Sequence, residues 1–250
     1  MAIEKNIWQT YETTLEDLPE YGKFGVDTWK KHNPNWVHNY MSGQDRENFF
    51  KEYFDEEVYN TYMKLPMGVM KAGLWRFAIL YKFGGVYADL DTVCNVPIEN
   101  WYDSEYDLVL DVEGDTPWFA TQVIAAKKGH PFLLNAINLC VERMKTFTES
   151  NHMVHYYTDV AMFTDSLFES LEVEPYTIPI KDRNNEINNC IKAKENKMFM
   201  FGGEHAARLL KKDVEHLYWG DGRHPGYIAW KSDPQVNNPN NTIKLANWED

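Results

Sequence analysis

Apolar and polar positions along the chain fall into two periods, and their succession predicts alternating strands and helices. Asn6-Ile7-Trp8-Gln9-Thr10 and Asn35-Trp36-Val37-His38-Asn39-Tyr40 read as short strands, the second preceded by the punctuation Asn33-Pro34-Asn35. Leu18 to Lys31 between them has helical spacing. Gln44 to Lys64, with Phe49, Phe50, Tyr53 and Phe54, predicts one or two short helices. Further on, Asp107 to Asp111 and Gln122 to Ala126 read as strands, and Pro131 to Phe147 and Asp159 to Leu171 as helices. Strands alternating with helices imply an α/β sheet, mostly parallel and covered on both faces. The stretch from Asp233, rich in Asn and Pro, predicts an irregular tail, so the expected organisation is one domain over 1–232 and a tail over 233–250.

The segment from Gly68 to Asp91 carries the most information. Val69, Ala72, Arg76, Leu80 and Phe83 recur at helical spacing, so a stripe that should be apolar holds a guanidinium. A buried arginine without an anion is costly, which makes Asp89 and Asp91, or a phosphate they help hold, its expected partner. Gly84-Gly85 then ends the helix, since a left-handed terminal position favours glycine. Val86 to Asp91 alternates at period 2, which predicts Asp89 and Asp91 on one face of a strand, roughly 6–7 Å apart. Carboxyl ends of strands in open α/β sheets are where ligands bind, and two carboxylates there suit Mg²⁺ or Mn²⁺. With 17 Asp in the chain, about one Asp-x-Asp arises by chance, so the triplet alone decides nothing, and a solvated strand end with an ordinary salt bridge explains it equally well.

Composition narrows the choice. The 250 residues (29.4 kDa) carry a net charge of −13, which argues against non-specific binding of nucleic acid or anionic lipid. It does not argue against a nucleotide, whose diphosphate a bound cation neutralises. Aromatic content of 15% excludes a disordered chain. Cys94, Cys140 and Cys190, odd in number and scattered, make no disulfide framework or zinc site. No run of 18 apolar residues and no signal-peptide pattern occurs, and the expectation is a soluble, reduced, cytoplasmic protein, of viral or bacterial origin.

The run RFAILYKFGGVYADLD resembles the hallmark of the Asp-x-Asp sugar-binding glycosyltransferases of family 32, matching at Arg76, Leu80, Tyr81, Gly84, Gly85, Tyr87, Asp89 and Asp91. Ile7-Trp8-Gln9-Thr10, Asn33-Pro34-Asn35-Trp36 and Ala125 to Pro131 are similar to further motifs of that family, so the resemblance spans most of the first 131 residues. It implies a single-domain, Rossmann-like GT-A fold and an enzyme, a hexosyltransferase moving a sugar from a UDP- or GDP-sugar to a glycan or other hydroxyl acceptor, with retention at the anomeric carbon. It also implies Mn²⁺ (or Mg²⁺) on Asp91, with Asp89 beside the ribose or a metal-bound water. Ile7, Trp8, Gln9, Thr10, Arg76 and Tyr81 become candidates for nucleotide contact, His216 for a further metal ligand (His224 and His205 competing), and Trp219 for the nucleotide site. Charge developing on a leaving diphosphate is what a cation and an arginine stabilise.

The chain departs from the family pattern in two places. Ala72-Gly73 stands where Ser-Asp is usual, so Gly73 makes room either for a ligand or for another backbone. Thr158-Asp159-Val160 replaces Thr-Gly-Pro, so Asp159 either adds a carboxylate to the site or, with Thr158, caps a helix. Candidates for a nucleophile or base are Asp111, Glu113, Asp115 and Asp159, of which strand-end position favours Asp111. Two other readings compete: a non-catalytic nucleotide-sugar-binding module on the same fold, and a metal-dependent phosphohydrolase, for which no motif speaks.

Overall fold

The computed structural model describes residues 3–101, 106–110, 119–150, 153–170, 198–200 and 206–208. In chain order these form β1 (Asn6–Thr10), α1 (Glu20–His32), β2 (Val37–Met41), α2 (Gly43–Tyr53), α3 (Glu56–Lys64), α4 (Gly68–Phe83), β3 (Gly85–Ala88), β4 (Thr92–Cys94), a short 3-10 turn (Ile98–Asn100), β5 (Leu108–Leu110), β6 (Val123–Ala126), α5 (Pro131–Met144), α6 (Met153–Thr158), α7 (Val160–Ser170), β7 (Met198–Met200) and β8 (Ala206–Arg208). The expected elements are present with shifted ends. The short helix α6 and the strands β4, β7 and β8 add to them. The expected boundary at 232 lies outside the described residues.

Six strands form one sheet in the order β2-β1-β3-β6-β5-β7. It is mostly parallel, as expected, with one reversed strand: β1, β2, β3, β5 and β7 run in one direction, and β6 opposes both its neighbours. Strand direction is set by the path of the intervening chain, which local periodicity does not encode. Side chains alternate across the sheet as period 2 demands. Trp8, Tyr87, Leu108, Leu110, Ile124 and Ala126 face the core under α2 to α7, while Ile7, Val86, Val109, Val123 and Ala125 face Trp29 of α1 and Trp101. Helices thus cover both faces.

Helix α4 is the centre of the larger core. Residues 73–80 are buried all round, whereas Val69, Ala72 and Phe83 of the expected stripe are only partly so. A helix packed on several sides carries apolar residues around its whole circumference, which blurs the stripe. It ends at Gly84 (φ 66°), and Gly85 follows at φ 110° with its Cα against the carbonyl of Asn6 in β1. The sharp reversal lets β3 run back along α4 and pair directly with β1. A side chain at 85 meets both a left-handed backbone and the Asn6 carbonyl, so Gly85→Ala is expected to destabilise the fold by about 2 kcal/mol or more, read by chemical denaturation.

Candidate active site

The reversal at Gly84-Gly85 also fixes the height of Arg76. Eight residues of helix rise about 12 Å, and the five residues back from Gly84 to Asp89 cover about 16 Å in extended form. Helical side chains lean toward the N-terminus, which makes up the difference. Arg76 therefore arrives level with the carboxyl ends of β1, β2 and β3, and with the start of the antiparallel β6.

There the guanidinium is almost fully buried (4% exposed). Nη1 donates to the Thr121 carbonyl at 2.7 Å and stands 3.5 Å from Asp159 Oδ1. Nη2 stands 3.6 Å from Asp89 Oδ1. Its plane lies over the Tyr87 ring, 5.0 Å from the centroid. The expectation that Arg76 pairs with an acid of the Asp-x-Asp triplet thus holds for Asp89, with Asp159 as a second anion. Tyr87 Oη donates to Asp89 Oδ1 at 2.6 Å, and burial pushes that phenol well above its usual range, so it keeps the proton it donates.

The triplet is a turn and not a strand face. β3 stops at Ala88, and Thr92 N–H closes a turn on the Asp89 carbonyl at 3.1 Å. Thr92 Oγ1 (2.6 Å) and Gln9 Nε2 (3.4 Å) donate to the same oxygen, and Asp89 N–H donates to the Gln122 carbonyl at 2.7 Å. Leu90 points inward, onto Leu18 and Val26, which leaves Asp89 and Asp91 on the partly exposed side. Helix α1 lies against the backbone of this turn at Gly25, and against the Leu90 side chain at Gly22. A Cβ on Gly25 would sit 2.5 Å from the Leu90 carbonyl and 3.0 Å from that of Thr92. Trp29 Nε1 donates to the Thr92 carbonyl at 3.2 Å.

The β1 candidates are committed to the interior. Ile7 is fully buried in the smaller core, and Trp8 stacks on Phe83 and donates to the Gly84 carbonyl at 2.9 Å. Gln9 accepts from His38 Nε2 at 2.8 Å while donating to Asp89, an arrangement that puts the His38 proton on Nε2. Thr10 Oγ1 donates to the Met41 carbonyl and accepts from Arg46, both at 2.5 Å, and Arg46 also pairs with Glu12. These side chains brace the site from behind. Tyr81 is not brought to it at all: its carbonyl accepts from Gly129 N–H at 2.8 Å, at the opposite end of β3 and β6. Asp111, Glu113, Asp115, His205, His216, Trp219 and His224 lie outside the described residues.

Gly73 makes room for a backbone. Its Cα faces Thr158 at the end of α6, whose carbonyl would be 2.5 Å from a Cβ there. The next residue, Asp159, faces three partners: Arg76, the Thr121 hydroxyl, and His155 Nδ1 at 3.4 Å from Oδ2. Burial works to raise its carboxyl, but His155, Arg76 and Thr121 outweigh that and hold it well below the usual carboxylate range. Asp159 thus adds a carboxylate to the site. The sequence reading missed Tyr87, Thr121 and His155. Tyr87 was signalled by its place in the hallmark run, whereas Thr121 and His155 had no local signal.

The arrangement suits a hard divalent cation in the chemistry of its donors. Asp89 and Asp91 offer carboxylate oxygens at one turn, and Mg²⁺-like ions bind through one or two carboxylates while taking further oxygens from water and phosphate. Among the described residues no group of three His, Cys, Asp or Glu side chains forms a complete protein cage.

Comparison with known proteins agrees with this geometry. Residues 19–107 match the family described as glycosyltransferase sugar-binding region containing DXD motif. An initiation-specific alpha-1,6-mannosyltransferase of Candida albicans is 26% identical over 202 residues, covering 66% of this chain and 52% of its own. Inositol phosphoceramide mannosyltransferase 3 of Schizosaccharomyces pombe is 28% identical over 171 residues, covering 68% and 44%. The chain therefore spans about half the length of the curated relatives it matches. The solved PaToxG glycosyltransferase superposes with a TM-score of 0.56 at 18% identity, covering 78% of each chain. The resemblance carried by Arg76 to Asp91 is thereby shown, and the α/β fold is that of GT-A glycosyltransferases. Among the described residues no helix is long and apolar enough to cross a membrane.

Two expectations follow for this framework. Gly25→Ala pushes α1 off the Leu90 carbonyl, so it should lower the melting temperature and shift amide resonances of residues 89–92 beyond the shifts caused by substitutions on the exposed face of α1. His38 is pushed down to about 4, by burial first and Lys30 second. The unfolded chain, with an ordinary imidazole near 6.5, takes up the proton first, so folding stability falls as pH drops from about 6.5 to 4. His38→Gln should flatten that fall in urea denaturation series, and an unchanged slope would show that His38 does not titrate with unfolding.

Proposed function

We propose that the chain is a metal-dependent, retaining glycosyltransferase that moves a hexose from a nucleoside diphosphate sugar to a hydroxyl of a glycan-type acceptor. One observation carries this reading: a buried arginine held between Asp89 and Asp159 at the carboxyl ends of β1 and β3, beside a turn that presents Asp89 and Asp91 outward. The relatives' names, both mannosyltransferases, favour mannose as the sugar, and they differ in acceptor, which leaves the acceptor open.

Cleaving the bond between sugar and diphosphate leaves negative charge on the leaving group. A cation held by Asp91 with Asp89 would stabilise that charge when bound. Asp89 is already oriented by Tyr87 Oη and by three donors onto its own carbonyl, so its carboxylate needs little reorganisation. Arg76 lies behind the same turn and brings positive charge to a site that otherwise gathers carboxylates. Tyr87 and the Thr121 carbonyl hold the guanidinium in place.

Ligands that bind only the folded state raise its melting temperature. Thermal shift with GDP, UDP and their sugars should give a Mn²⁺-dependent rise with one base series, and Asp91→Ala should abolish that rise while the ligand-free melting temperature changes little. An equal rise in Asp91→Ala would remove the metal role. Binding without sugar release from any donor would favour the non-catalytic module.

A further inference from the structure

The carboxylates at the site are not equivalent. Asp89 and Asp91 sit on the turn after β3, whereas Asp159 comes from the corner between α6 and α7, on the other side of Arg76. The side chains of Asp89 (17% exposed) and Asp159 (19%) are partly exposed, while the Arg76 side chain between them (5%) is not. An incoming ligand therefore meets two anionic flanks with a cation recessed between them.

Asp159 is also fixed more tightly than an incidental surface acid. Thr121 Oγ1 and Arg76 face its Oδ1, and His155 faces its Oδ2. The close approach of Thr158 to Gly73 seats the corner directly on α4, leaving no space for a side chain at 73. Arg143 holds α6 and α7 together by donating to the Tyr156 carbonyl at 2.6 Å and to Asp165 at 2.5 Å. Among the described residues, Asp159 is the acid that faces Arg76 from this side.

An ionised carboxylate only accepts hydrogen bonds, so its natural complement is a hydroxyl, and it repels a phosphate. With the transferase reading as premise, we propose that Asp159 is the specificity-determining residue for the donor's sugar: it accepts hydrogen bonds from the sugar hydroxyls, while the diphosphate lies on the Asp89–Asp91 side. The Arg76 guanidinium separates the two halves.

The test is calorimetric titration of the full chain with Mn²⁺ and GDP, GDP-mannose, UDP or UDP-glucose, comparing wild type with Asp159→Asn. The amide keeps the shape but loses the charge and half of the acceptor capacity. Affinity for the bound sugar nucleotide should fall about tenfold or more, while affinity for its parent diphosphate stays within about twofold. Equal losses for both ligands would mean that Asp159 acts only through Arg76, and no loss for either would mean that it does nothing for the donor. Both results overturn the inference. If Asp159→Asn does not fold by circular dichroism, His155→Gln, which alters only the Oδ2 side, should give the same difference at smaller size, and its absence counts equally against the proposal. If wild type takes up none of the four nucleotides, the transferase reading itself fails.

Discussion

A single positive charge, buried in the middle of the longest helix among the described residues, organises this molecule. Arg76 is nearly inaccessible, and a guanidinium in such a place is tolerable only when anions and carbonyls surround it. Asp89 arrives from the turn after β3, Asp159 from the corner between α6 and α7, the Thr121 carbonyl from the approach to β6, and the Tyr87 ring from β3 itself. Four separate pieces of chain thus converge on one side chain. Removing it would take away the cation that Asp89 and Asp159 share, which ties the stability of the fold to the integrity of the site.

Backbone closeness does comparable work around it. Gly25 lets α1 rest on the Leu90 carbonyl, Gly73 lets α4 rest on that of Thr158, and Gly85 lets β3 lie against that of Asn6. At each contact a hydrogen replaces a methyl group, and the elements approach by more than any side chain permits. With Leu90 plugged into the smaller apolar cluster of Leu18 and Val26, the outward pair of acids has no freedom to slide. The fully buried Gln9 extends this bracing to β2 through His38.

The sequence made part of this legible. Arg76 stood out because it broke an apolar helical stripe, and Gly84-Gly85 because two adjacent glycines after a helix have few other uses. Asp89 and Asp91 were read as lying on a strand, since Asp-Leu-Asp alternates in the same way whether extended or turned. The deciding interaction, the Thr92 N–H on the Asp89 carbonyl, depends on a residue beyond the pattern. Tyr81 matched by register yet lies at the far end of β3, because a helix carries successive residues of one motif along its axis, away from the strand end that carries Asp89. Gly73 was ambiguous for another reason. What it makes room for is Thr158, distant in sequence and brought close only by the fold. The opposed direction of β6 belongs to the same class of non-local fact.

The pairing of β4 with β8 has a kinetic corollary. Thr92, the residue directly after Asp91, hydrogen-bonds in register with Arg208, more than a hundred positions later in the chain. Contacts of such sequence separation form late, because closing the intervening loop costs entropy before any pairing rewards it. The helical layer can assemble around Arg76 from contacts nearer in sequence, but the strand that continues from the acidic turn is completed only once the distal chain returns. Maturation of the site is thereby coupled to the end of folding rather than to its beginning.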